Sequence, residues 1–150
     1  MKKTALIIIS IFIWIVSLNA QSNIDLKQHY SSFKAGQIVT APQGVFDYGI
    51  ISLSSTPYDM FMVGVIKPDM KYDNPRFMPN PVQREGCTKV MCNTENGKIK
   101  RGDLVTSSST PGIAMKATKA GVVLGIATDD ASENGWVTIR LLIQYGNPNE

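Results

Sequence analysis

One histidine, His29, and two cysteines, Cys87 and Cys92, are all that the 150 residues contain of those two residue types. A lone imidazole excludes multi-histidine metal centres and leaves a Ser/His/Asp triad without a usable base, so no metal, cofactor or catalytic set is expected. Two thiols cannot build the disulfide framework of a small stapled fold. Helical periodicity is missing too: no window of 11 to 18 residues carries a convincing apolar stripe at the helical spacing. The charges, 15 basic and 12 acidic, are scattered singly or in pairs. Without a concentrated basic face, neither nucleic acid nor an anionic membrane is an implied partner. The apolar run from Ala5 to Leu18 has 14 residues, short of the roughly 20 that a helix needs to span a bilayer.

That run has a different reading. Lys2 and Lys3 precede it and SLNAQ follows, the layout of a secretory signal peptide over residues 1–20 with cleavage after Ala20. The expected location is therefore secreted or at the cell surface, with no stable membrane insertion after cleavage. Loss of Lys2 and Lys3 would leave 13 basic and 12 acidic side chains, a net charge of +1. About 130 residues would remain, enough for one domain with a real core. Residues 21–34 read as an N-terminal arm or short helix, since only IDLKQHYSSF, from Ile24 to Phe33, could hold a helical turn or two.

From residue 35 to 146 the pattern is strand-like. GQIVTA, YGIISLS, MFMVGVI, TKVMC, GDLVTS, GIAMKA, GVVLGIA and WVTIRLLIQY are rich in β-branched residues and bounded by Gly, Pro, Asn or Asp. About eight short strands point to an all-β barrel or compact sandwich. The Pro-rich stretch 68–86, with Pro68, Pro75, Pro79 and Pro81, cannot be a central strand and is expected as a long surface loop. Its Tyr72, Phe77 and Met78 offer apolar contacts, either to a ligand or to the domain's own surface.

An internal echo runs through this region. KAGQIVTAP (34–42) matches KRGDLVTSS (100–108), MVGVIKPD (62–69) matches VLGIATDD (123–130), and a Gly-initiated strand follows each, GCTKVMC and GWVTIRLL. Gly36 corresponds to Gly102 and Gly64 to Gly125. Such order predicts two pseudo-symmetric halves.

The same comparison disarms two tempting motifs. NGKIKRGDLVTSS reads as a hairpin, with Asn96 and Gly97 at positive φ, Lys98 to Lys100 as a short strand, Gly102 reversing the backbone, and Asp103 accepting amide hydrogen bonds. Arg101, Gly102 and Asp103 then spell an adhesion tripeptide by accident, because the first copy has Ala35, Gly36 and Gln37 there. Ser107, Ser108 and Ser109 near Lys116 and Lys119 would suit a Ser/Lys nucleophile pair, yet SSSTPG has the chemistry of a turn, with Pro111 presetting φ and Gly112 following. Asp129, Asp130 and Glu133 look like loop carboxylates. Cys87 and Cys92 would lie on the order of 16 Å apart along a strand, too far to bridge; a local turn with a disulfide is the alternative to free thiols.

The order AGQIVT, STPYDMFMVGVI, NGKIKRGDLVTSSSTPGIAMKATKAGVVLGIA and WVTIRLLIQY resembles a domain at the C-terminal ends of phage tail-appendage and bacterial surface proteins. It is similar to the autoproteolytic intramolecular chaperone domains of phage tail appendages. The resemblance spans Gly36 to Gln144 and is strongest from Gly97 to Ala127. It implies a β-rich domain on oligomeric fibres, cut from its own precursor in some members. No catalytic residue matches position by position, so the expectation is a non-enzymatic domain that self-associates or joins a surface structure. Autoproteolysis, or carbohydrate or peptide binding by the Pro-rich loop, are the alternatives. In the last strand, alternation sets Val137, Ile139, Leu141, Ile143 and Tyr145 toward a core. Trp136, Thr138, Arg140, Leu142 and Gln144 form a mixed face that the N-terminal segment Ile24 to Phe33 could cover in a monomer, and that is suited to a neighbouring copy in a homo-oligomer, the favoured reading.

Overall fold

The computed structural model describes residues 32–41, 51–68 and 82–149. Their β-branched runs form nine strands: β1 (Ile38–Thr40), β2 (Ser52–Leu53), β3 (Met62–Ile66), β4 (Val82–Gln83), β5 (Gly86–Met91), β6 (Leu104–Ser107), β7 (Ala114–Lys116), β8 (Gly121–Ala127) and β9 (Trp136–Gly146). Two antiparallel sheets result, ordered β2-β1-β3-β4 and β5-β9-β8-β6-β7. The fold is all-β and sandwich-like. It is not a closed barrel, and among the described residues a single parallel bridge, Cys92 to Ala114, links the far ends of the larger sheet.

The two sheets share a plan. β1 lies between β2 and β3 as β6 lies between β7 and β8, and β4 and β9 take the next place outward. Both halves enter through the same turn. Gln37 N donates to Lys34 O (3.2 Å) while Lys34 N donates to Gln37 Oε1 (2.7 Å). Asp103 N likewise donates to Lys100 O (3.0 Å), and Lys100 N to Asp103 Oδ2 (2.8 Å). The third residue of each turn, Gly36 at φ +79° and Gly102 at +89°, occupies a conformation that costs an L side chain roughly 1–2 kcal/mol. The next contacts match as well: Gly36 N donates to Ile66 O (3.0 Å), and Gly102 N to Ala127 O (2.8 Å).

Gly64 and Gly125 hold equivalent places, opposite Val39 and Val105. A methyl group at Gly64 would run into the carbonyl oxygen of Gln83, and one at Gly125 into that of Arg140. These glycines let the neighbouring strand come close, so the strand beside β3 that corresponds to β9 is β4. The expected match of the Gly86 strand with the Gly135 strand does not hold. β5 instead leaves the smaller sheet and pairs antiparallel with β9, from Gly86 opposite Leu141 to Met91 opposite Trp136.

Other expectations shift for local reasons. The stretch 68–86 contains β4 and the start of β5, because the chain resumes ladder pairing directly after Pro81. Residues 69–81, with Tyr72, Phe77 and Met78, lie outside the described residues, as do 1–31. Lys98 to Lys100 form no strand: turns close on either side, and Ile99 is drawn into the core instead. Gly97 has φ +94° but Asn96 does not share it; Asn96 sits one place earlier in a Thr94–Gly97 turn and donates its side-chain amide to Lys116 O. The turn at Pro111 and Gly112 is as expected, closed by Ile113 N to Thr110 O (3.1 Å).

Apolar packing differs between the sheets. Ile38, Met62 and Val65 join Val90, Ile99, Val105, Leu124, Val137, Ile139 and Leu141 in one core. Val39, Val63, Ile66 and Val82 form a second cluster. The two clusters bury both faces of the smaller sheet, with alternation along β3 broken where its register with β1 shifts, so that Met62 and Ile66 fall in different clusters; each large side chain contributes about 1.5–3 kcal/mol. β9 is buried on one side: Val137, Ile139 and Leu141 point inward and Arg140 and Leu142 are exposed. Tyr145, expected inward, is 72% exposed because it lies beyond the core at the strand's end.

Candidate functional site

The outward face of β5, β9 and β8 carries the residues singled out in the last strand. Cys87, Arg140 and Ile126 stand in one row across the three strands. Leu142, two residues along, is 47% exposed and Ile126 36%. At the other end of β9, Trp136 lies opposite Met91 and packs its indole on Gly36, leaving no room for a side chain there. Around it opens a groove of about 670 Å³, walled by Ala35, Gly36, Pro68, Cys87, Lys89 and Trp136. Thr138 and Lys89 connect the groove to the Arg140 row. The face thus runs from an aromatic groove to an apolar patch, with cationic groups between.

The edges beside this face are partly capped. On β5, Met91 N donates to Gly36 O (3.0 Å), and Gln83 Nε2 donates to Cys87 O (3.1 Å). On β7, Ala114 O accepts from Asn93 N (2.9 Å), and Lys116 O from Asn96 Nδ2 (3.1 Å). Part of each edge that would template another strand is thereby capped.

The adhesion-like tripeptide is occupied internally. Asp103 Oδ2 accepts from Lys100 N and pairs with Lys116 Nζ at 2.8 Å. Partial burial pushes the carboxyl up, but the Lys116 and Lys100 hydrogen bonds and charges outweigh it and hold Asp103 below the usual carboxylate range. The serines are likewise engaged. Ser107 Oγ donates to Thr56 O (2.8 Å) and accepts from Asp59 N (2.9 Å), Ser108 Oγ donates to Ile113 O (2.8 Å), and Ser109 Oγ donates to Glu95 Oε2 (2.9 Å). Lys116 is committed to Asp103, and Lys119 lies 5.1 Å from the Tyr58 ring centre. The Ser/Lys pair is not brought together. Asp129 and Asp130 cap backbone amides of Thr138 and Arg101. Among the described residues no three metal-ligating side chains converge. Cys87 is an exposed free thiol, and Cys92 a half-buried one whose pKa burial pushes up.

A feature the strand pattern concealed lies before β3. MFMVGVI looks like one strand from Met60, yet pairing starts at Met62. Asp59 causes the delay: its carboxylate accepts from Phe61 N (2.8 Å) and Ser54 Oγ (2.8 Å), bending the chain as short polar side chains do when they bond an amide two residues on. Tyr58 sits at φ +58° beside it, costing about 1–2 kcal/mol for a non-glycine residue. Its hydroxyl accepts from Thr118 N (2.9 Å) and Lys119 N (3.2 Å). Partial burial raises the Tyr58 phenol, but those hydrogen bonds and the Lys119 charge prevail and lower it. The turn is fixed from several sides and presents Met60, 76% exposed, and Phe61, 48% exposed. The clue in the sequence was Pro57-Tyr58-Asp59, a turn signal that the apolar run overrode.

Set against known protein families, characterised proteins and solved structures, the chain matches none.

Proposed function

We propose that the chain is an exported, non-enzymatic β domain that self-associates through the outward face of β5, β9 and β8, as part of an extracellular surface or fibre-like assembly. The observation that carries this reading is an apolar outward patch, Leu142 and Ile126, on a sheet whose edges are partly capped. Two exposed aliphatic side chains stand beside Arg140 on this face, a mixture of apolar and cationic groups that a protein interface can bury. Partly capped edges favour association through a sheet face over strand exchange.

The resemblance of Gly36–Gln144 to domains of phage tail appendages and bacterial surface proteins supports the same reading, as does the signal-like segment 1–20. The matched turns at Gly36 and Gly102, with the close strand approaches at Gly64 and Gly125, support an internal duplication in which the second half supplies the open face. The serine hydroxyls, each spent on turn hydrogen bonds, favour assembly over a self-cleaving role.

Light scattering on the purified exported chain at micromolar concentration tests the proposal. A mass several times that of one chain is expected; a single-chain mass across that range overturns it.

A further inference from the structure

Asparagine is followed by glycine twice in the chain, in TENG (94–97) and in SENG (132–135). Both stretches fold into the same turn. Gly97 N donates to Thr94 O (2.9 Å) with Gly97 at φ +94°, and Gly135 N donates to Ser132 O (3.1 Å) with Gly135 at φ +75°. The asparagine side chains, however, are held differently. Asn96 is half-buried and donates its side-chain amide to Lys116 O (3.1 Å), which ties it to β7. Asn134 is exposed, and among the described residues its side chain has no hydrogen-bond partner.

We infer that Asn134 is a site of spontaneous conversion to aspartate and isoaspartate, and that the fold protects Asn96 from the same reaction. Asparagine is among the chemically labile side chains, and a following glycine, with no Cβ, leaves its backbone nitrogen open to close approach. The nitrogen of Gly135 attacks the side-chain carbonyl carbon of Asn134. The new N–C bond closes a cyclic imide as the bond to the side-chain nitrogen breaks, and ammonia leaves with the proton of the glycine amide. Water then opens the ring, at the side-chain carbonyl to give aspartate or at the main-chain carbonyl to give isoaspartate. In sum, one amide and one water become one carboxylic acid and one ammonia. The glycine nitrogen sits in the same turn hydrogen bond in both stretches, so the side chain decides between them. Asn96 must first release the Lys116 carbonyl, whereas Asn134 has only to rotate. Isoaspartate carries the main chain through the former side chain and lengthens it by one carbon. That change falls where Gly135 O takes the Cys92 amide (2.8 Å) and β9 begins.

The test is to age the purified chain in mildly alkaline buffer made with heavy-oxygen water and to map its peptides by mass. The expected result is an Asn134 peptide that exchanges its amide for an acid, carries one labelled oxygen and resolves into aspartate and isoaspartate forms. The Asn96 peptide should convert at least fivefold more slowly. A parallel sample in concentrated urea removes both turns, and there the two rates should converge. Asn134→Gln, whose longer side chain closes the ring poorly, should abolish conversion at that position and leave the Asn96 rate unchanged. A folded chain that keeps Asn134 intact, or that converts Asn96 as fast as Asn134, overturns the inference.

Discussion

The two halves differ in what surrounds a common plan. Both place a glycine at the third position of a Lys-initiated turn and a second glycine where a neighbouring carbonyl approaches. In the first half the turn is buried: Trp136 rests on Gly36, and the carbonyl of Gly36 takes the Met91 amide. In the second half Gly102 has open space around it. The smaller sheet is buried on both faces, while the larger leaves Leu142 and Ile126 uncovered. Local chemistry sets the backbone in both turns, and packing decides what a change would cost.

Substitutions can sharpen that contrast. Gly36→Val should be the most damaging. It adds left-handed strain of about 1–2 kcal/mol to a collision with Trp136 of about 1–3 kcal/mol, for a loss of roughly 3–4 kcal/mol in urea melts. Gly125→Ala should follow at roughly 2–3 kcal/mol, since its methyl meets the Arg140 carbonyl and backbone gives way less easily than a side chain. Gly102→Val meets nothing, so strain alone should cost about 1–2 kcal/mol. Equal losses for Gly36→Val and Gly102→Val would remove the distinction between buried and open turns.

The smallest effect concerns pH. Gln37 and Asp103 accept the same turn amide, but only Asp103 titrates. Its folded pKa is depressed, so its contribution is present above the unfolded value near 4 and is lost as pH falls through the folded one. Asp103→Asn should flatten the acid limb of the stability curve below about pH 4, changing neutral stability by about 1 kcal/mol or less. An acid limb unchanged in the variant would assign that limb to other carboxylates.

Much of this scaffold was legible in the residues. Runs such as GVVLGIA and WVTIRLL carry enough β-branched and alternating character to become β8 and β9, and the Lys-X-Gly-polar echo marked both turns. Elements set by distant contacts were hidden. β4 is two residues long and exists because Gly64 lets it approach. Ile99 leaves a would-be hairpin strand for the core. The Met60–Phe61 tip depends on Asp59 being bound by Ser54, which lies before it on the far side of a turn. At the candidate site, alternation identified Arg140 and Leu142 as outward, while the packing of Trp136 on a turn 100 residues earlier had no local signal.

The most direct measurement is sedimentation velocity of the wild type beside Leu142→Glu, across matched micromolar concentrations. Leu142 is exposed, so the variant should keep the wild-type urea midpoint. The wild type should sediment as an assembly growing with concentration, and the average mass of the Leu142→Glu chain should fall by at least half. A variant that assembles as the wild type does, with the same midpoint, would contradict the claim that this face joins the copies.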